Sequence, residues 1–280
     1  MEKRRFIQCD VFSPIPTQGN GLAVIVEADG LSDTQLQTFA AWTNLAETTY
    51  LLPPTDPGAD YKLRIFTPTR EMLFAGHPTL GSCAAWLHVG GVPKQKGLVR
   101  QECGIGIVDI DVSGGQYEFV APPTKIGTLP EENFLAITQA LNISSDSILH
   151  TALLDNGPVW FVLQLDSAES VLSVDSSRVR WPEFKSIGLI GAHKVGAECD
   201  FEVRMLAPSS GMGEDPITGS LNAALAQWLA FEGRLNPSIT IAQGTNINRQ
   251  GRVSVRTDSA NGKIYIGGDT HILIDGQVIL

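Results

Sequence analysis

Two kinds of apolar run alternate along this chain. The first is short, rich in β-branched and aromatic residues and bounded by Pro, Gly and Asn, and it predicts strands at Phe6 to Phe12, Leu22 to Val26, Glu47 to Leu52 and Tyr61 to Phe66. The second is longer, with apolar positions three or four apart, and predicts helices. Ser32 with Gln35 forms a capping box, after which Leu36, Phe39, Ala40 and Thr43 share one helical face as far as Asn44. A helix from Pro78 to about Val89 closes at Gly90-Gly91, where a left-handed cap is favoured. Ile105 to Val112 and Gln116 to Val120 flank Ser113-Gly114-Gly115 as a hairpin.

Past Ala121-Pro122-Pro123, which has the composition of an interdomain joint, a similar order returns. A helix is predicted around Glu131 to Leu141, with strands from Thr151, from Pro158, near Ile187 to Ile190 and at Phe201 to Leu206. A helix from Pro216 to about Phe231 closes at Gly233, and Arg252 to Arg256 opens a hairpin that turns at Asn261-Gly262. The likeness extends to residues. Arg64-Ile65-Phe66-Thr67-Pro68 matches Arg204-Met205-Leu206-Ala207-Pro208 at a spacing of 140, and His77-Pro78-Thr79-Leu80-Gly81-Ser82 matches Asp215-Pro216-Ile217-Thr218-Gly219-Ser220 at 138. Asn20-Gly21 and Asn156-Gly157 echo each other at 136, so the period is half of the 280 residues. The expected fold is α+β: two pseudo-symmetric domains, each a strongly curved, mostly antiparallel sheet around a central helix, with equivalent loops facing one cleft.

Composition narrows the function. Hydrophobic content of 43% with 18% charged residues is that of a globular chain. A net charge of −10 repels a phosphate backbone and leaves no basic stripe, which argues against nucleic acid as a partner. No apolar run is long enough to span a bilayer, and Met1-Glu2-Lys3-Arg4-Arg5 leads into a strand rather than a signal core, so no membrane partner is expected and cytoplasm is the default location. Cys9, Cys83, Cys103 and Cys199 form no metal or disulfide spacing, and none of the five histidines shares a metal-ligand spacing with them. Gly104-Ile105-Gly106 is a fragment of a dinucleotide fingerprint, but a strand follows it where a helix is required.

The chemistry concentrates at the two repeated loops. Asp215-Pro216 announces a helix start, since Asp is a strong N-cap and Pro suits the first helical position; His77-Pro78 announces the equivalent one. Gly81-Ser82 and Gly219-Ser220 would then lie in first turns, where unpaired N–H groups and the positive end of the helix dipole suit a small carboxylate and an enolate-like charge beside it. Glycine there lets a ligand approach closely, and serine adds a donor. Glu47, between Leu45-Ala46 and Thr48-Thr49-Tyr50, sits where helix gives way to strand. An apolar wall and a nearby Asp215 would raise its pKa and fit it to act as base, then acid. His77 could orient that carboxylate, donate a proton, or simply cap its helix.

Three stretches together carry a resemblance to the PhzF-like family, named for a phenazine-biosynthesis isomerase and related by fold to diaminopimelate epimerase. They are Asn44 to Tyr50, Arg64 to Pro68 continuing through Phe74 to Gly81, and Gly213 to Ser220. The resemblance implies domains at about 1–121 and 122–268, with a last strand at about 269–280 returning to the first. It implies a glutamate acid/base at Glu47, assisted by His77, Asp215 and the backbone around Gly76 and Gly219-Ser220, in a homodimer that needs no cofactor. The chain departs from the family at Ala46, where serine is usual, so a hydroxyl beside the carboxylate is missing.

The same fold hosts racemases with one thiol from each half. Here the repeat places Leu221 opposite Cys83 and Gln243 opposite Cys103, so no thiol pair exists. A lone carboxylate favours proton transfer between two carbons of a small unsaturated or amino carboxylic acid. An epimerase using Glu47 with Asp215, and a non-catalytic protein that binds a small acid, stand as alternatives.

Overall fold

A computed structural model of the chain describes residues 2–178, 186–207 and 212–280. These form two compact units, Met1–Val120 with Gly267–Leu280, and Ala121–Ile266.

In the first unit β1 (Lys3–Val11) pairs antiparallel with β2 (Asn20–Ile25). Helix α1 (Asp33–Thr43) carries the chain to β3 (Glu47–Leu52), which lies parallel to β2. β4 (Tyr61–Phe66) pairs antiparallel with β3 and with the short β5 (Glu71–Met72). Helix α2 (Gly76–His88) crosses to β6 (Leu98–Cys103), parallel to β4, and β7 (Gly106–Asp111) and β8 (Tyr117–Val120) follow antiparallel. Gly104 and Ile105 make the tight turn between β6 and β7, and Gly106 holds φ +105°, so the glycines of the fingerprint fragment serve a hairpin.

The second unit contains β9 (Lys125–Gly127), α3 (Glu131–Leu141), β10 (Ile148–Asp155), β11 (Val159–Leu165), α4 (Ala168–Ser173), β12 (Ile187–Ala192), β13 (Phe201–Ala207), β14 (Met212–Asp215), α5 (Gly219–Phe231), β15 (Ser238–Gln243), β16 (Gly251–Thr257) and most of β17 (Ile264–Gly268). Its pairings from β10 to β16 run antiparallel, parallel, antiparallel, antiparallel, parallel, antiparallel. That is the succession found from β1 to β7. The final strand, β18 (Thr270–Ile279), pairs with β1 as β9 pairs with β10. The duplication read in the residues is therefore a duplication of topology.

Each unit wraps its sheet round one helix. Ten consecutive residues of α2, Gly76 to Ala85, are buried, and the helix packs on β1, β2, β3, β8 and β18. Helix α5 is buried at all of its first eight positions, Gly219 to Ala226, and at Trp228 and Leu229. A helix buried on every side has no polar face, which is why neither shows the amphipathic stripe of α1, whose buried residues are Leu36, Phe39 and Ala40. Around α3 and α4 a separate core gathers Ile137, Leu141, Leu163, Leu165, Val171, Ile187, Leu189 and Leu206.

Both central helices start elsewhere than the sequence predicts. Helix α2 begins at Gly76, two residues early, and takes in His77; Pro78 then falls in the first turn, where its missing N–H costs nothing. Helix α5 begins at Gly219, three residues late, with Thr218 as N-cap. Asp215 is instead the end of β14, held in the sheet by pairing with Met205. Pro208 of the repeated Arg-to-Pro motif lies outside the described residues. Strands β6 and β15 and helix α4 have no counterpart among the predicted elements.

Candidate active site

Leu22 and Glu47 are register partners on the parallel pair β2 and β3, which brings the start of β3 beside the start of β2. Helix α2 lies over both strands, and its second residue, His77, is 3% exposed. His77 Nε2 lies 3.4 Å from Glu47 Oε2, the glutamate side chain being 15% exposed. Burial pushes the imidazole down to about 3, so the ring is neutral across the physiological range and the contact is not an ion pair. On the other side of the ring Asn20 Nδ2 lies 3.4 Å from His77 Nδ1. An amide nitrogen only donates, so Nδ1 accepts and the ring proton sits on Nε2. Between Nε2 and Glu47 Oε2 there is a close approach but no hydrogen bond.

The start of α2 is held by a buried network. Tyr61 Oη donates to Gln101 Oε1 at 3.0 Å, Gln101 Nε2 donates to Thr79 Oγ1 at 3.1 Å, and Thr79 Oγ1 donates to Ala75 O at 2.9 Å. Ala75, the N-cap, has no side chain that could cap, so the N–H groups of Gly76 and His77 carry the positive end of the helix dipole with no capping side chain over them. Gly81 has a different role. A Cβ there would stand 2.6 Å from Leu22 and 2.9 Å from Val11, so the close approach this glycine permits is to β1 and β2. Ser82 likewise turns inward and shares a 2.9 Å hydrogen bond with Thr49.

In the second unit Asp215 is 6% exposed at the end of β14. Thr218 Oγ1 donates to Asp215 Oδ2, which uses the hydroxyl that would otherwise cap α5. Gln243 ties this corner together: Nε2 donates to Thr218 Oγ1 at 3.0 Å and to Asp215 O at 3.3 Å, while Oε1 accepts from Thr218 N at 3.0 Å and Asn222 Nδ2 at 2.8 Å. Gly219 and Ser220 open the helix, again with no capping side chain. Asn156 Nδ2 donates to Ser220 O at 2.8 Å, and Trp160 Nε1 donates to Asn156 Oδ1 at 2.9 Å. Glu47, His77 and Gly76 thus come together in one unit, and Asp215, Gly219 and Ser220 in the other.

The repeated arginines hold no anion from solution. Arg64 forks onto Glu71 through Nε and Nη2, each at 2.7 Å, and reaches Asp33 through Nη1 at 2.7 Å. Arg204 forks onto Glu214 at 3.1 and 2.7 Å and donates its remaining nitrogen to Val171 O and Val174 O. Each arginine therefore locks a short strand, β5 or β14, against its neighbour. Sequence reading passes over Asn20, Gln101, Thr218 and Gln243 as site residues. Only Asn20 leaves a signal, through its repeat at Asn156.

Register also finds the partner position of Glu47. Registered through β4 and β13, where Phe66 and Leu206 are repeat equivalents, the position corresponding to Glu47 is Ser186; registered through β2 and β11, where Ile25 and Phe161 are equivalents, it is Phe184. The second unit therefore has no carboxylate at that place.

A buried helix inside each of two topologically identical sheets defines a two-unit, epimerase-like α+β fold. It is similar to the crystal structure of a Bacillus anthracis phenazine biosynthesis protein of the PhzF family, with a TM-score of 0.82 at 20% identity over 100% of both chains. Residues 9–276 match the PhzC-PhzF family, described as phenazine biosynthesis-like protein, and the chain belongs to that family and is an isomerase. Antisense-enhancing sequence 1 of Schizosaccharomyces pombe is 35% identical over 300 residues, with 99% of each chain covered. The trans-2,3-dihydro-3-hydroxyanthranilate isomerase of Pseudomonas aeruginosa is 29% identical over 284 residues, again with 99% of each covered.

Proposed function

We propose that Glu47 removes an acidic C–H proton from a small unsaturated or amino carboxylic acid and returns it to another carbon of the same conjugated system, without a cofactor. The observation that carries this reading is the buried contact between Glu47 and a neutral His77. A neutral imidazole is a poor acid, so His77 packs against the carboxylate and leaves the proton transfer to Glu47. Base and acid are then one group, the proton stays within one substrate, and no co-reactant is consumed. A positioned general base of this kind contributes about 10²- to 10⁴-fold.

The uncapped N–H groups at Gly76 suit the substrate carboxylate or the enolate-like charge that forms when the proton leaves, and those at Gly219-Ser220 have the same character. Asp215, kept in place by Thr218, completes the polar set. Gly81 has no part in binding. With Ser186 or Phe184 where a second base would be, inversion through two opposed carboxylates like Glu47 is disfavoured, and an epimerase reading has only Asp215 to serve the other face. Ala46, where the family usually has serine, brings no hydroxyl to this place and points to a substrate different from that of the phenazine enzyme.

The test is deuterium uptake in heavy water, with trans-2,3-dihydro-3-hydroxyanthranilate as the first probe and a metabolite pool as the second. The expected result is uptake by the parent and a loss of at least about 100-fold in Glu47→Gln. Equal rates in parent and variant would sink the assignment, and an inverted product would select the epimerase reading. The alternative to this reading is a non-catalytic small-acid binder. Thermal stabilisation by such acids with no deuterium uptake would establish it.

A further inference from the structure

The repeated Asn-Gly pair has no role in the reaction as described. Its two copies nevertheless do the same thing: each asparagine stands at the end of its unit's first hairpin and points its amide nitrogen at the opening turn of the central helix. Asn156 reaches a backbone carbonyl, Ser220 O. Asn20, the first residue of β2 and 2% exposed, reaches a side chain instead, His77 Nδ1. We propose that Asn20 is a positioning residue that fixes the tautomer of His77, holding the ring proton on Nε2, the nitrogen beside the Glu47 carboxylate. The inference rests on the assignment of Glu47 as the base.

The argument is one of donors and acceptors. A neutral imidazole carries a single proton, on either nitrogen, and the hydrogen bond at one nitrogen decides which. With Asn20 donating to Nδ1, the proton falls on Nε2, the nitrogen 3.4 Å from a carboxylate oxygen, and a small turn of either side chain would make the hydrogen bond that the present geometry lacks. With the proton on Nδ1, two lone pairs would face each other across that gap, Nε2 against Oε2, in a place from which water is largely excluded. The carboxylate would then rotate away or take up a proton, and in either case the base is lost. Sequence had room to evolve this because a duplicated helix anchor in the first unit meets a histidine, where the second unit offers only main chain.

Asn20→Asp tests the idea, since it keeps the shape of the side chain and replaces its donor by an acceptor. Nitrogen-15 spectra of the histidine rings, with His77 assigned through its loss in His77→Gln, report which ring nitrogen bears the proton and require no substrate. The parent is expected to show the Nε2–H tautomer. Asn20→Asp is expected to move the proton to Nδ1 or to protonate the ring, and Asn20→Ser, which retains a donor, to restore the parent spectrum. Deuterium uptake should fall by about 100-fold in Asn20→Asp and recover in Asn20→Ser, a loss typical of a misdirected catalytic group. An Nδ1–H tautomer in the parent overturns the proposal, and so does an Nε2–H tautomer that survives in Asn20→Asp. If Asn20→Asp does not fold, the parent and Asn20→Ser spectra decide. Loss of uptake in Glu47→Gln with full uptake in a tautomer-shifted Asn20→Asp would refute the role of Asn20 alone, whereas full uptake in Glu47→Gln refutes the underlying reaction.

Discussion

His77 should make the stability of this protein fall with acid in a measurable way. Its imidazole has an ordinary value of 6.5, and burial lowers it to about 3 in the folded protein. Between these values the unfolded chain binds a proton that the folded chain rejects, so stability rises with pH through the window. The contribution is complete above 6.5 and is lost as pH falls towards 3. Linkage with these two values gives a loss of about 2.5 kcal/mol between pH 7 and pH 4.5 from this one group. Other carboxylates and histidines titrate over the same range, so the informative quantity is a difference. His77→Gln keeps a donor towards Glu47 and an acceptor towards Asn20 but cannot be protonated. Urea unfolding of parent and variant at several pH values should show the parent's stability falling more steeply below pH 6.5, by about 2.5 kcal/mol at pH 4.5. Parallel curves for the two proteins would refute the reasoning, as would a His77 ring that titrates near its ordinary value by NMR.

The two arginine clamps should differ in cost although they are repeat equivalents. Arg204 and Glu214 are 1% and 2% exposed, so Arg204→Met leaves a buried carboxylate alone and should cost about 3–5 kcal/mol in urea unfolding. Arg64 and its partners Glu71 and Asp33 are 24%, 42% and 84% exposed, and Arg64→Met should cost no more than about 1 kcal/mol. Gly81→Ala should destabilise by about 1 kcal/mol, because the strain of placing a methyl against Leu22 and Val11 outweighs the helix propensity gained. Asp215→Asn keeps the acceptor for Thr218 and should leave the melting temperature within a few degrees while reducing deuterium uptake; unchanged uptake would remove Asp215 from the reaction.

What was legible in the sequence follows local rules. The capping box of Ser32 and Gln35, the helix end at Asn44 and the runs Glu47 to Leu52 and Tyr61 to Phe66 appear in the structure at the predicted residues. The repeat was legible because a duplicated topology keeps its turn residues and its arginine forks even where side chains drift. The helix starts were not, since Asp215-Pro216 and His77-Pro78 carry identical local signals and tertiary pairing decides between them: β13 captures Asp215 as strand, while no strand competes for His77. Strands β6 and β15 escaped because Arg100 and Glu102, or Ser238 and Thr240, interrupt the apolar run on the exposed face. For Glu47, periodicity places the residue at a helix-to-strand junction; the contact with His77 depends on the register of β2 with β3 and cannot be read locally.

Duplication explains the frame of this protein and the departures from it explain the chemistry. Both units keep the arginine fork, the inward helix, the uncapped first turn and the asparagine that reaches it, all of which are matters of packing and backbone polarity. The positions that differ are the ones to which the proposed reaction assigns the proton. Glu47 corresponds to Ser186 or Phe184 by strand register, and His77 corresponds to Asp215 by motif. A symmetric pair of bases would suit removal of a proton from one face and delivery to the other. Here one unit combines a carboxylate with a neutral imidazole beside it, and the other offers an acid bound to a hydroxyl and a helix end. On the proposed reaction Glu47 alone would carry the proton both ways, which is the logic of isomerisation along a conjugated acid rather than of inversion at a single carbon.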